Sequence, residues 1–195
     1  MLKISQLLLL LFLLTSCSGL RTVQYSVGEI LTSHGSILIW LYDETPVHKE
    51  NFIALANVGY WNDFTFNRVI KDFVIQGGCP DTPAGFAYSI HLLAPEFREK
   101  IRHTYGTFAA GRDDNPKKLS AGCQFYIVQD KNGIARLDDN YTAYGKVFKG
   151  MDVVEKIVKV ETDSSDKPIK DINLQVSIIL MSASELLANG FKPPN

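Results

Sequence analysis

The sequence predicts a mainly β domain, and three observations predict it. About eight short segments are rich in β-branched and aromatic residues, only two apolar-periodic stretches suit helices, and no regular crossover helices separate the strands. The last point argues against a parallel sheet, which needs a crossover between neighbouring strands. A closed barrel capped by helices and a β-sandwich both satisfy the pattern.

Residues 29–32 and 37–42 are apolar strands joined by Ser33-His34-Gly35-Ser36, a turn-rich hairpin link. Thr45-Pro46 supplies an N-cap and a first-turn proline, and Gly59 a C-terminal stop. Between them Val47, Phe52, Leu55, Ala56 and Val58 fit one side of an amphipathic helix. Residues 64–70 and 73–76 read as strands ending at Gly77-Gly78, and residues 81–94 as mostly loop. A strand at 106–110 leads into a polar loop through Asn115-Pro116 to Gly122, and strands follow at 124–129 and 141–148. Met151, Val154, Ile157 and Val158 mark a second short helix. Leu174, Val176, Ile178 and Leu180 alternate with mostly polar partners as a final half-buried strand. The tail has room for one helical turn before Pro193-Pro194.

With 195 residues, 46% hydrophobic and 21% charged, the chain can bury one core, so a single domain is expected over residues 28–182, followed by a tail at 183–195. A net charge of −1 excludes nucleic acid as a partner, because phosphate binding needs a concentrated basic surface. The pair Lys117-Lys118 reads as solvated loop.

Lys3 precedes an unbroken apolar run from Leu7 to Leu14. That is far short of the roughly 20 residues of a membrane-spanning helix and reads as a signal-peptide core. The run leads into Leu14-Thr15-Ser16-Cys17, which resembles the bacterial lipobox. The resemblance implies a signal peptide over residues 1–16, a lipid on Cys17 and a short tether over 17–27. It also implies an anchored protein facing the periplasm, with Ser18 favouring the outer membrane. A plain secretory signal is the alternative. Two further thiols, Cys79 and Cys123, remain. An exported chain can pair them, but the sequence alone does not bring their Cα atoms within reach, so that pairing stays open.

The four histidines, at 34, 48, 91 and 103, show no short ligand spacing, so no metal site is expected. Neither a Gly-x-Ser-x-Gly elbow nor a Gly-rich phosphate loop is present, which removes the serine-hydrolase and nucleotide readings. What remains is the run from Phe66 to Gly78, Phe-Asn-Arg-Val-Ile-Lys-Asp-Phe-Val-Ile-Gln-Gly-Gly, followed later by Gly122-Cys123-Gln124-Phe125-Tyr126-Ile127 and by Leu137-Asp138-Asp139-Asn140-Tyr141-Thr142-Ala143-Tyr144-Gly145-Lys146-Val147.

These three runs resemble, in order, the signature segments of cyclophilin-type peptidyl-prolyl cis-trans isomerases. The resemblance implies a closed eight-stranded antiparallel barrel capped by two helices, with the site in a groove on its outside. It implies Arg68, Phe73 and Gln76 as the catalytic set: Arg68 faces the prolyl nitrogen, Phe73 the proline ring, and Gln76 the substrate backbone. Phe66, Val74, Tyr126 and Leu137 would add apolar surface, the backbone at Gly111 and Arg112 would hold the preceding residue, and Gln124 and Tyr141 would line the groove. Asn67 stands where the family usually has His, Val74 where it has Met, Tyr126 where it has Phe, and Arg136 where drug-sensitive members have Trp. The expected partners are proline-containing peptides and unfolded exported proteins, with no cofactor, from a monomer. A proline-binding envelope chaperone with little turnover is the rival that uses the same groove.

Overall fold

The computed structural model describes residues 23–82 and 91–194. The strands are β1 Gln24–Thr32, β2 Gly35–Leu41, β3 Phe66–Val69, β4 Val74–Gly78, β5 Leu92–Leu93, β6 Thr107–Ala110, β7 Ser120–Ala121, β8 Gln124–Val128, β9 Ala143–Lys149 and β10 Gln175–Ser182. The helices are α1 Pro46–Asn57, α2 Met151–Ile157 and α3 Ala183–Ala188. The lipobox, Cys17 and the start of the tether lie outside the described residues.

Eight strands form one antiparallel sheet in the order β10-β1-β2-β9-β6-β8-β4-β3, while β5 and β7 pair separately. Short β5 and β7 thus lie within two segments expected to be loops. The sheet curls so that its first and last strands approach each other. Among the described residues, one isolated bridge, Thr65 with Asn173, and two backbone hydrogen bonds, Phe66 to Ile172 and Leu174 to Phe64, lie between them. The sheet is therefore a curled antiparallel one, and among the described residues no ladder between β3 and β10 closes it into the expected barrel.

The inside of the curl is filled. Phe52 from α1 sits among Trp61, Phe108 and Phe125, with ring centroids 5.1, 5.3 and 6.4 Å away. Ile30, Ile39, Ile75 and Ile127 are fully buried around them. Alternation along each strand sends these side chains inward and their neighbours outward, which is how a small barrel-like sheet acquires a packed interior.

Two expectations about ends are corrected. The sheet begins at Gln24, because β1 pairs with β10 from Gln24–Ser182 to Leu31–Gln175, so part of the expected tether is strand. Helix α1 starts after Thr45, yet that side chain makes no cap. The Glu96 carboxylate accepts instead from the amides of Val47 and His48, at 3.2 and 3.0 Å. An anion on the exposed amides of a helix start satisfies the same donors a local cap would. The buried face is also shifted: His48 lies inside, while Val47 and Val58 are exposed. Gly59, at φ +66°, ends the helix as expected.

His48 is buried because its ring is fully partnered. Nδ1 lies 2.7 Å from Glu96, and Nε2 lies 3.0 Å from the Ser120 hydroxyl on β7. Burial lowers its pKa from the usual 6.5 despite Glu96, and burial does the same to His103. The unfolded chain therefore takes up protons as pH falls below about 6.5 that the native state refuses, and stability declines in that window. Thermal unfolding at pH 7.5 and pH 5.5 is expected to give the lower midpoint at pH 5.5. His48→Asn, which removes one of the two buried rings, is expected to narrow the gap.

Candidate active site

The outer face of the sheet carries one row of side chains across four strands. Arg68 on β3 is opposite Gln76 on β4, Gln76 is opposite Tyr126 on β8, and Tyr126 is opposite Ala109 on β6. A groove of about 640 Å³ runs over this row. It is lined by Arg68, Phe73, Val74, Gln76, Gly111, Arg112, Gln124, Tyr126, Leu137 and Tyr141, so the fold brings together residues far apart in the chain.

Phe66 is the exception. It is buried in the interior, opposite Gly77 and 6.2 Å from the Phe125 ring. The reason is a bulge: β3 spends two steps, from Phe66 to Arg68, against the single step from Gly77 to Gln76. An extra residue in one strand reverses the alternation, so Phe66 and Arg68 face opposite sides although they are two apart. Asn67 is that extra residue, and its side-chain amide donates to the Gly78 carbonyl at 2.9 Å.

The floor and walls of the groove form an apolar cup. Val74, Ala109, Tyr126 and Leu137 are buried in one cluster, with Phe73 and Tyr141 packed against it. Phe73 stands on a tight turn in which Ile70 donates to Val74 at 2.9 Å and Asp72 takes a left-handed conformation at φ 55°. Asp tolerates that conformation better than most residues. Gln129 clamps the turn, accepting from the Asp72 amide at 2.7 Å while its own amide donates to Phe73 at 2.8 Å. The Arg136 guanidinium lies 4.7 Å over the Phe73 ring and the Arg112 guanidinium 4.9 Å over Tyr141, so two cations rim the cup. Arg112 is otherwise spent on carbonyls of Asn140 and Asp113, at 2.8 and 2.7 Å. Gly111 uses its own amide and carbonyl within the fold, with Gln124 and Ala121.

Above the cup, Arg68 is half-exposed. Its Nε lies 3.8 Å from the Asp166 carboxylate, on a loop tied to β3 by a hydrogen bond from Val69 to Asp166 at 2.8 Å. Gln76 and Gln124 are buried, and both turn their amide nitrogens toward Asp81. Gln124 Nε2 reaches Asp81 Oδ1 at 2.7 Å and the Cys79 carbonyl at 2.8 Å, while Gln76 Nε2 reaches the same carboxylate at 3.2 Å. Cys79 and Cys123 form a disulfide with Cα atoms 5.5 Å apart, which resolves the pairing the sequence left open. The bridge flanks both ends of this network, two residues before Asp81 and one before Gln124.

Asp81, Thr82 and Asp113 line the groove and were not singled out from the sequence. No residue pattern marks them, because each is one polar residue in a loop. Gly111 explains how Gln124 reaches Asp81: a Cβ at that position would sit 1.8 Å from Gln124 Oε1. In Gly111→Ala, Gln124 must swing aside. We expect a stability change of at most about 1 kcal/mol, since a flexible side chain can move, together with displaced side-chain amide resonances of Gln124 in an NMR spectrum. Unmoved resonances would contradict this account of the glycine.

The external groove thus joins an apolar cup, a half-exposed guanidinium and two buried carboxamides on a β scaffold. The family model for cyclophilin type peptidyl-prolyl cis-trans isomerases matches residues 27–177. A peptidyl-prolyl cis-trans isomerase of Acinetobacter baylyi is 36% identical over 162 residues, covering 77% of this chain and 85% of that protein. One from Schizosaccharomyces pombe is 35% identical over 155 residues, covering 78% and 97%. Among solved structures, a Cryptosporidium parvum cyclophilin type peptidyl-prolyl cis-trans isomerase, crystallised in the presence of the dipeptide Ala-Pro, superposes with a TM-score of 0.69 at 25% identity. It covers 80% of this chain and 99% of its own. The chain belongs to the cyclophilin-type peptidyl-prolyl cis-trans isomerase family.

Proposed function

We propose that this isomerase turns X–Pro bonds in exported proteins, that Arg68 stabilises the twisted amide, and that the chain is held at the bacterial cell envelope by a lipid on Cys17. The row Arg68–Gln76–Tyr126 above the apolar cup is the observation that carries the mechanism. Rotation about an X–Pro bond meets a barrier near 20 kcal/mol because amide resonance must be broken, and no bond to a nucleophile is needed. On twisting, the prolyl nitrogen becomes pyramidal and regains a lone pair. A guanidinium N–H fixed above the cup donates to that lone pair, whereas the planar amide nitrogen offers it little. The interaction is therefore stronger in the transition state than in either ground state, which is the condition for catalysis. Phe73, Val74, Tyr126 and Leu137 would hold the ring. Gln76 and Gln124 would hold the preceding backbone, so that rotation is confined to one bond.

Export is supported by the lipobox-like Leu14-Thr15-Ser16-Cys17 and by the Cys79–Cys123 bridge, since disulfides persist in oxidising compartments. The periplasmic face of the outer membrane is the proposed address. Mass analysis of the N-terminus of protein made in a bacterial host tests the anchor: a lipid-sized mass increment on Cys17 is expected, and an unmodified Cys17 or a soluble cleaved form overturns it. For the reaction, X–Pro exchange in a short peptide is measured by NMR with wild type and Arg68→Ala. Exchange that collapses in the variant supports the mechanism. Binding without exchange in wild type favours the chaperone reading.

A further inference from the structure

The hydroxyl that distinguishes Tyr126 from a phenylalanine is buried beneath the cup. It lies 2.9 Å from Nε2 of His103, and Nδ1 of that imidazole lies 2.8 Å from Oδ1 of Asp138. The His103 backbone amide donates to the same oxygen at 2.8 Å. His103 and Tyr126 are both buried, with rings stacked at a centroid distance of 6.0 Å. An ionised carboxylate only accepts, so the Nδ1 facing it carries the proton and Nε2 is left bare. The Tyr126 hydroxyl donates into that bare nitrogen. The polarity of the whole chain is thereby set by Asp138.

The three residues come from separate places in the fold. Tyr126 is on β8, His103 lies in the segment before β6, and Asp138 follows the 3-10 turn Ala135–Leu137 that carries one wall of the cup. The Ile134 amide also donates to the His103 carbonyl at 2.7 Å. Floor and wall are thus tied through one histidine.

We propose that His103 and Asp138 are positioning residues for the proline cup, holding the Tyr126 ring and the Leu137 turn in one arrangement, and that a second proton on His103 reverses the bond to Tyr126 and leaves its hydroxyl proton without an acceptor. This rests on the reading of the groove as the proline site. An imidazolium has no lone pair to offer and donates from Nε2 to the phenol oxygen instead, so the phenol must turn its own proton away, and among the described residues that buried O–H has no other hydrogen-bond partner. The groups facing the imidazole are Asp138, Asp139 and Arg102, and around the phenol lie Tyr141, Arg136 and Arg112. Burial outweighs the two carboxylates and keeps His103 neutral at pH 7, so its titration falls on the acid side of 6.5.

The test uses the full chain, labelled with 15N at histidine, and an Ala-Pro-containing tetrapeptide as probe. Wild type and Tyr126→Phe are compared across the titration of His103, with the fold monitored by the amide spectrum. At pH 7.5 the His103 ring is expected as the Nδ1–H tautomer. Peptide affinity in wild type is expected to fall about fivefold as His103 protonates, because the buried Tyr126 O–H is left unpaired. In Tyr126→Phe, which needs no acceptor, it is expected to change less than about twofold. Parallel pH profiles in the two proteins, or a Nε2–H tautomer, overturn the proposal. Absence of peptide binding at both pH values overturns the proline-site reading itself, and the proposal with it.

Discussion

Replacing Arg68 by alanine is expected to lower kcat/KM for an X–Pro peptide by about 10²–10³-fold, the usual loss when one preorganised donor to a developing charge is removed. Peptide affinity should move far less, because the cup of Phe73, Val74, Tyr126 and Leu137 is left intact. Nor should the fold suffer. Arg68 is half-exposed and its contact with Asp166 at 3.8 Å is a surface pair, worth less than about 1 kcal/mol after solvent screening. Arg68→Lys sharpens the experiment, since it keeps the charge but loses the planar fork of donors. If orientation of an N–H toward the prolyl nitrogen is what matters, lysine will recover little of the rate. NMR exchange on the peptide gives turnover, and chemical-shift titration of the same samples gives affinity. A large loss of affinity with unchanged exchange at saturation would remove Arg68 from the mechanism.

The second large effect concerns stability. The Cys79–Cys123 bridge joins residues 44 apart in sequence. In the chain-entropy picture, opening a loop of that length costs about 4 kcal/mol, and measured values centre on roughly 2–4. For a chain of this size each kcal/mol moves the thermal midpoint by about 2–4 °C, so replacing both cysteines by alanine should lower it by roughly 5–15 °C. The bridge also joins the ends of β4 and β8, beside the Cys79 carbonyl and Asp81 that hold Gln124. Peptide affinity should therefore weaken in the double variant. Paired thermal denaturation and peptide titration check both halves. An unchanged midpoint would mean that the linked segments are equally constrained without the bond.

The strands that carry the candidate site were legible because local patterns encode them, whereas the roles of its residues came from the family resemblance. The turn at Lys71-Asp72, the apolar run after it and the closing Gly77-Gly78 are contiguous, so the strand pair carrying Arg68 and Gln76 can be read from one stretch. Alternation within Gln124–Val128 likewise separates Phe125 and Ile127, which face inward, from Tyr126, which faces the groove. Phe66 escaped this logic. Its side of the sheet depends on a bulge whose extra residue, Asn67, is fixed by a bond to Gly78 eleven residues away. Asp81 and Asp138 escaped it too, since each gains its role only from glutamines or a histidine that the chain delivers from elsewhere.

The sequence by itself determined the mainly β plan and the placement of α1 and α2, because periodicity, turn residues and helix stops act over a few neighbouring positions, while the apolar cup was implied by the family resemblance its three runs carry. Only the tertiary structure decided that Glu96 caps α1 from a distant loop and that β10 extends the sheet back to Gln24. It likewise decided that the two thiols meet and that His103 stands beneath Tyr126. Those choices rest on satisfying buried donors and acceptors with groups from remote segments, and that constraint exists only once the chain has folded.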